Sequence, residues 1–71
     1  MRQTQFTTAA VPPAILRLPE VMRLTGLGRS TIYRLLAAGQ FPPPVQLSMR
    51  AVGWRRTDLE HWTAERPQVS H

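Results

Sequence analysis

The sequence predicts a small, mainly helical domain that carries one β-hairpin. Three observations predict it: two short apolar stripes at helical spacing around a glycine turn, a pair of alternating segments after a proline run, and a closing helix-start signature. Seventy-one residues suffice for one domain with a single modest core. At 42% apolar and 18% charged residues, the composition is that of a folded domain rather than a disordered chain.

Residues 1–14 are polar and aperiodic and end in Val11-Pro12-Pro13, so they read as a flexible N-terminal arm. Ile15, Leu16 and Leu18 form a short apolar stretch suited to a strand or a docking segment. Pro19 fits the first position of a helix, where its missing N–H costs nothing, and Glu20 fits the positive end of the helix dipole. Val21, Met22, Leu24 and Thr25 supply an inner face, and Gly26 is a left-handed stop, which predicts a first helix over 19–25. After Gly26-Leu27-Gly28, the residues Ile32, Leu35 and Leu36 form one apolar stripe, and Gly39 ends a second helix over 29–38. Two short helices around a glycine-centred turn are a helix-turn-helix.

Phe41-Pro42-Pro43-Pro44 has to be extended. Val45 and Leu47 alternate with polar residues, as do Val52 and Trp54 with Gly53 and Arg55, which predicts two short strands with one buried face. Ser48-Met49-Arg50 would be the hairpin tip, so the hairpin stands as a wing beside the two helices. Thr57-Asp58-Leu59-Glu60 matches a capping box and starts a last helix that Pro67 closes. The domain is thus expected over 15–66, with 67–71 a frayed C-terminus. Phe41, Trp54, Leu59 and Trp62 are expected in the core, because so small a domain needs its aromatics inside.

Charge narrows the function. All nine basic residues are arginine, against four acids, for a formal net charge of +5. Residues 17–56 hold seven arginines and only Glu20, a local balance of +6, whereas residues 57–71 balance at −2. Such a basic block suits a polyanion, and double-stranded DNA leads. Enzyme chemistry is not expected. The chain has no cysteine, no phosphate-cradling glycine loop and no HExxH pattern, and its histidines, His61 and His71, lack partners at ligand spacing. No cofactor or metal is implied. No apolar run reaches the roughly 18 residues of a membrane span, and the N-terminus lacks the apolar stretch of a secretory signal, so a cytoplasmic location is expected.

The second helix offers Ser30, Thr31, Tyr33 and Arg34 on its outer side and Arg29 at its start, with no acid among them. A guanidinium grips guanine O6 and N7, hydroxyls take phosphates, and a ring can touch a thymine methyl. An ordinary solvated face would mix acids with bases at i,i+4. Arg50 at the tip and Arg55 on the strand face opposite Trp54 form a second basic element, able to reach the backbone or the narrow minor groove.

The runs Leu16-Arg17-Leu18-Pro19-Glu20-Val21, Thr25-Gly26-Leu27 and Arg29-Ser30-Thr31-Ile32-Tyr33-Arg34-Leu35 resemble the AlpA family of small prophage-borne regulators. Gly39-Gln40-Phe41-Pro42, Val52-Gly53-Trp54-Arg55, Asp58-Leu59-Glu60 and Trp62 extend the resemblance over residues 15–66. It implies a MerR-like winged helix-turn-helix that binds DNA and regulates transcription of prophage or integrative-element genes. Two positions depart from the family pattern. Gly28 stands where relatives often have a capping Ser, so the cap is expected to be weaker or shifted to Ser30; Pro43 stands where they often have a basic residue. An excisionase-like factor that bends DNA for an integrase would use the same fold and basic face. RNA polymerase or an integrase is the protein partner that these two roles would call on. A phage assembly module whose basic face meets an acidic protein is the reading from another class. No heptad or long terminal helix is present, so a monomer that assembles side by side on DNA is expected.

Overall fold

A computed structural model describes residues 13–69 of the chain. In chain order the elements are β1 (Ile15–Leu16), α1 (Leu18–Thr25), α2 (Arg29–Ala37), β2 (Val45–Ser48), β3 (Ala51–Arg55) and α3 (Arg56–Ala64). The strands form one antiparallel sheet in the order β1-β3-β2. Three helices around a three-stranded sheet with a protruding hairpin are the architecture of a winged helix-turn-helix.

The helix-turn-helix is built as its residues suggest. Glu20 Oε1 accepts the Arg17 N–H at 3.2 Å, which satisfies a donor that α1 leaves open. Gly26 takes φ 75° and donates to the Met22 carbonyl at 2.8 Å. Thr25 stiffens the turn from inside: its hydroxyl donates to the Val21 carbonyl at 2.8 Å and accepts the Leu27 N–H at 3.2 Å. Leu27 then packs against the core. Val21 and Met22 face inward as expected, but Leu24 is half-exposed, because an eight-residue helix buries only a narrow stripe.

The C-terminus of α2 is a Schellman motif. Gly39 donates to Leu36 O at 3.1 Å and Gln40 to Leu35 O at 2.8 Å, with Gly39 at φ 71°. A Cβ there meets nothing within 4 Å, so the whole cost of a side chain is backbone strain. Gly39→Ala is expected to cost about 1 kcal/mol and to lower the melting temperature by roughly 4 to 8 °C. Gly28→Ala, at φ −80° and in equally open space, carries no such strain and should lower the melt less than Gly39→Ala, its cost being that of a poorer N-cap residue.

One residue from every element except β2, together with Phe41, closes the core: Leu16, Val21, Ile32, Trp54 and Leu59. The Trp54 indole N–H donates to Pro42 O at 2.9 Å, and that of Trp62 to Gln40 O at 2.9 Å. Phe41 sits edge-on to both rings, at 6.4 Å and 4.8 Å. Trp62 is only partly buried.

Two local expectations are corrected. The last helix begins at Arg56 rather than after Thr57, and no side chain caps it. Arg56 N–H donates to Ala14 O at 2.8 Å, its Nε to Pro13 O at 3.0 Å, and its Nη1 meets Glu60 at 2.8 Å. These bonds draw Glu60 into an i,i+4 pair instead of a capping box. Second, Val45 and Leu47 do not share a face with Trp54. Val45 pairs with Gly53 and Gln46 with Val52, so the two alternations are out of phase across the ladder. A β-bulge at Leu47, which the alternation does not reveal, also separates Gln46 from Ser48 in the register. The apolar stretch before α1 does form a strand, with Ile15 opposite Arg55 and Leu16 opposite Trp54. Of the arm expected over 1–14, residues 1–12 lie outside the described residues, and the carbonyls of Pro13 and Ala14 are the two bonded by Arg56.

Candidate nucleic-acid interface

The side chains of α2 divide cleanly. Ile32 is fully buried, and Leu35 and Leu36 pack against the core. Ser30, Arg34 and Ala37, opposite that stripe, are exposed. Arg29 is exposed at the first turn, Thr31 is half-buried, and Tyr33 leaves 49% of its surface free. Arg34 Nη2 donates to Thr31 Oγ1 at 3.3 Å, which leans the guanidinium back toward the start of the helix. Five of the residues singled out from the sequence (Arg29, Ser30, Thr31, Tyr33 and Arg34) thus lie on one short helix, and Arg34 and Thr31 are in contact.

The start of α2 differs from those of the other two helices. α1 carries Glu20 in its first turn and α3 carries Asp58, each complementing the positive helix end. α2 has no acid in its first turn and Arg29 stands there instead; its N-cap is Gly28, and like the other two helices it has no side-chain cap. Ser30 does not take over the capping, since the helix already runs through it.

The other two arginines singled out from the sequence, Arg50 and Arg55, sit apart from one another. Arg50 is exposed in the two-residue turn Met49-Arg50 at the hairpin tip. Arg55 ends β3 at the base of the hairpin, five residues away, or about 17 Å at ~3.4 Å per residue. Arg55 Nη1 also lies 4.0 Å from Asp58. The tip and the base are therefore two separate positive points.

Ion pairing sorts the other charges. Glu20 meets Arg23 at 3.4 Å, Glu60 meets Arg56 at 2.8 Å, and Glu65 meets His61 Nε2 at 3.0 Å. The two exposed arginine pairs add little stability, but they cancel charge locally. Among the described residues, Arg17, Arg29, Arg34, Arg50 and Arg66 have no carboxylate within 4.0 Å. Arg17 and Arg66 were not singled out from the sequence. Arg17 has Glu20 at i+3, but that carboxylate serves the Arg17 backbone and Arg23. Arg66 lies 4.3 Å above the Trp62 ring and donates to Trp62 O at 3.1 Å. No group of three or more potential metal ligands converges among the described residues, and no helix there is long and apolar enough to cross a membrane.

Residues 14–67 match the sequence model of a family described as the prophage CP4-57 regulatory protein (AlpA). The chain belongs to the AlpA family. Among its relatives, the uncharacterized ORF88 protein of Enterobacteria phage P4 is 51% identical over 51 residues, covering 72% of this chain and 58% of that protein. The DNA-binding transcriptional activator AlpA of Escherichia coli K12 is 36% identical over 58 residues, covering 73% of this chain and 83% of its own length. The AlpA match runs from Ala14 through Pro67, so it takes in all three helices, the wing and every arginine discussed above.

Proposed function

We propose that this AlpA-family protein is a sequence-specific DNA-binding regulator of prophage or integrative-element transcription, with α2 in the major groove and the wing on the backbone. The observation that supports the reading is the start of α2, the one helix among the described residues that opens without an acid and with an arginine. A helix end left positive, with unbonded N–H groups and Arg29 beside them, suits a phosphate oxygen. The name of the Escherichia coli relative, a DNA-binding transcriptional activator, supports the same reading.

Each residue then has a distinct task. Arg29, Ser30 and Thr31, at the N-terminal turn, take phosphate oxygens and fix the register. Arg34, held by the Thr31 hydroxyl, presents its planar fork to guanine O6 and N7. Tyr33 lays its exposed edge against the groove wall or a thymine methyl. Arg50 supplies a separate positive point at the wing tip, and Arg55 a weaker one at its base, because Asp58 offsets part of its charge.

A titration separates base reading from backbone attraction. Arg34→Ala is expected to cost about 1 to 3 kcal/mol on a footprinted site and far less on a scrambled duplex. Arg50→Ala should weaken both duplexes alike and lower the slope of log K against log salt by about one unit. If neither variant changes binding, the basic face serves another partner.

A further inference from the structure

Six large apolar side chains are exposed among the described residues, and three of them, Leu47, Met49 and Val52, belong to the β2–β3 hairpin. Leu47 and Val52 are 43% and 39% exposed along its arms, and Met49 is 92% exposed at the turn. A thioether left in water contributes nothing to the core, so folding does not account for it. The turn that presents it is braced from below. Gln46 Nε2 donates to Ser48 O and, at 3.4 Å, to Ala51 O, the residues on either side of Met49-Arg50. A tip braced in this way loses little freedom when it meets a partner.

Charge selects the partner. The hairpin from Val45 to Arg55 contains no acid, and Arg50 adjoins Met49 with no carboxylate of the described residues within 4.0 Å. Two copies docked tip to tip would oppose arginine with arginine, whereas a nucleic acid satisfies both side chains. The DNA minor groove combines deep negative potential with apolar walls, and side chains such as Met press between base steps there. An unbranched, polarizable side chain suits that role because it adapts to the gap it enters.

We propose that Met49 is a specificity-determining residue that enters the minor groove and makes affinity depend on how readily the base step beneath the wing opens. The proposal rests on the reading of the chain as a DNA-binding regulator. Arg50 brings the tip to the groove, and Met49 reads its deformability.

The test uses the full chain and duplexes that share one footprinted site, differing only in a TpA or an ApT step under the wing. Composition and the minor-groove acceptor pattern are then constant, while the deformability of the step changes. Wild type is expected to prefer the TpA duplex about fivefold, the low end of single-base-pair effects. Met49→Ala and the similarly sized Met49→Gln should lose that preference with the salt slope unchanged, and Met49→Leu should keep it. Arg50→Ala should keep the preference while the slope falls by about one unit. All four substitutions lie in the exposed turn, outside the core, so their thermal melts should match wild type. A preference that survives Met49→Ala, or one absent from wild type, overturns the proposal and leaves the regulator reading intact. A Met49→Ala variant whose only change is the loss of a dimer in sedimentation also overturns it, in favour of self-association. Failure of wild type to bind any duplex overturns the regulator reading as well.

Discussion

Trp54→Ala is expected to abolish the folded domain. The indole is 1% exposed, lies edge-on to Phe41, and bonds Pro42 O through its N–H. Its removal leaves a cavity and orphans that carbonyl, at a cost of about 3 to 5 kcal/mol. A core in a chain this short rarely supplies more than ~3 to 5 kcal/mol of net stability. Far-UV circular dichroism during a thermal melt should therefore lose its cooperative transition. Trp62→Ala should be milder and still melt cooperatively, because that ring is partly exposed and rests between Phe41 and Arg66. The reverse order of severity would mean that α3, rather than β3, anchors the core.

Gly53→Val is expected to be the next most damaging change. A Cβ at Gly53 would lie 2.6 Å from Ile15 Cγ2, 3.0 Å from Leu16 O and 3.1 Å from Leu47 Cδ1. Two of these atoms belong to side chains that can turn, but Leu16 O is backbone, so β1 itself has to move. The cost should reach about 3 kcal/mol, the upper end of ordinary overpacking. Hydrogen exchange should show the damage first at the Arg56 amide, which bonds Ala14 O just before β1. Combining Gly53→Val with Ile15→Ala should recover part of the loss, since the closest Cβ clash is gone. Full recovery would show that the carbonyl contact is harmless, and additive losses would show that Ile15 is not the obstacle.

Much of the fold was legible because its signals are local. Gly26 and Gly39 punctuate the chain, and the stripe of Ile32, Leu35 and Leu36 sets the inner face of α2. The hairpin turn was legible from two alternating runs around Met49-Arg50. Errors arose where a local pattern needed a partner to interpret it. Alternation says which residues of a strand share a face, but not how two strands are phased, and only the pairing of Val45 with Gly53 fixes that. The Thr57–Glu60 signature was sound by spacing, yet bonds from Arg56 to Pro13 and Ala14 started the helix earlier. The candidate interface was legible in the same uneven way. A helix face without acids can be read directly from Arg29 to Arg34. The contact of Arg55 with Asp58 and the seat of Arg66 over Trp62 depend on where α3 begins and how it packs.

The segment between α2 and the wing acts as a strut. Two indole N–H groups pin the carbonyls of Gln40 and Pro42, and Pro42, Pro43 and Pro44 each have a ring-fixed φ. α2 and the hairpin are thus joined by a segment fastened at two carbonyls and stiffened by three rings. Such a linker resists a change of spacing, so on the proposed reading much of any adjustment between the two contacts has to come from the twist and bend of the DNA. Recognition would then select duplexes by their mechanics over the whole span, including base pairs that no side chain touches.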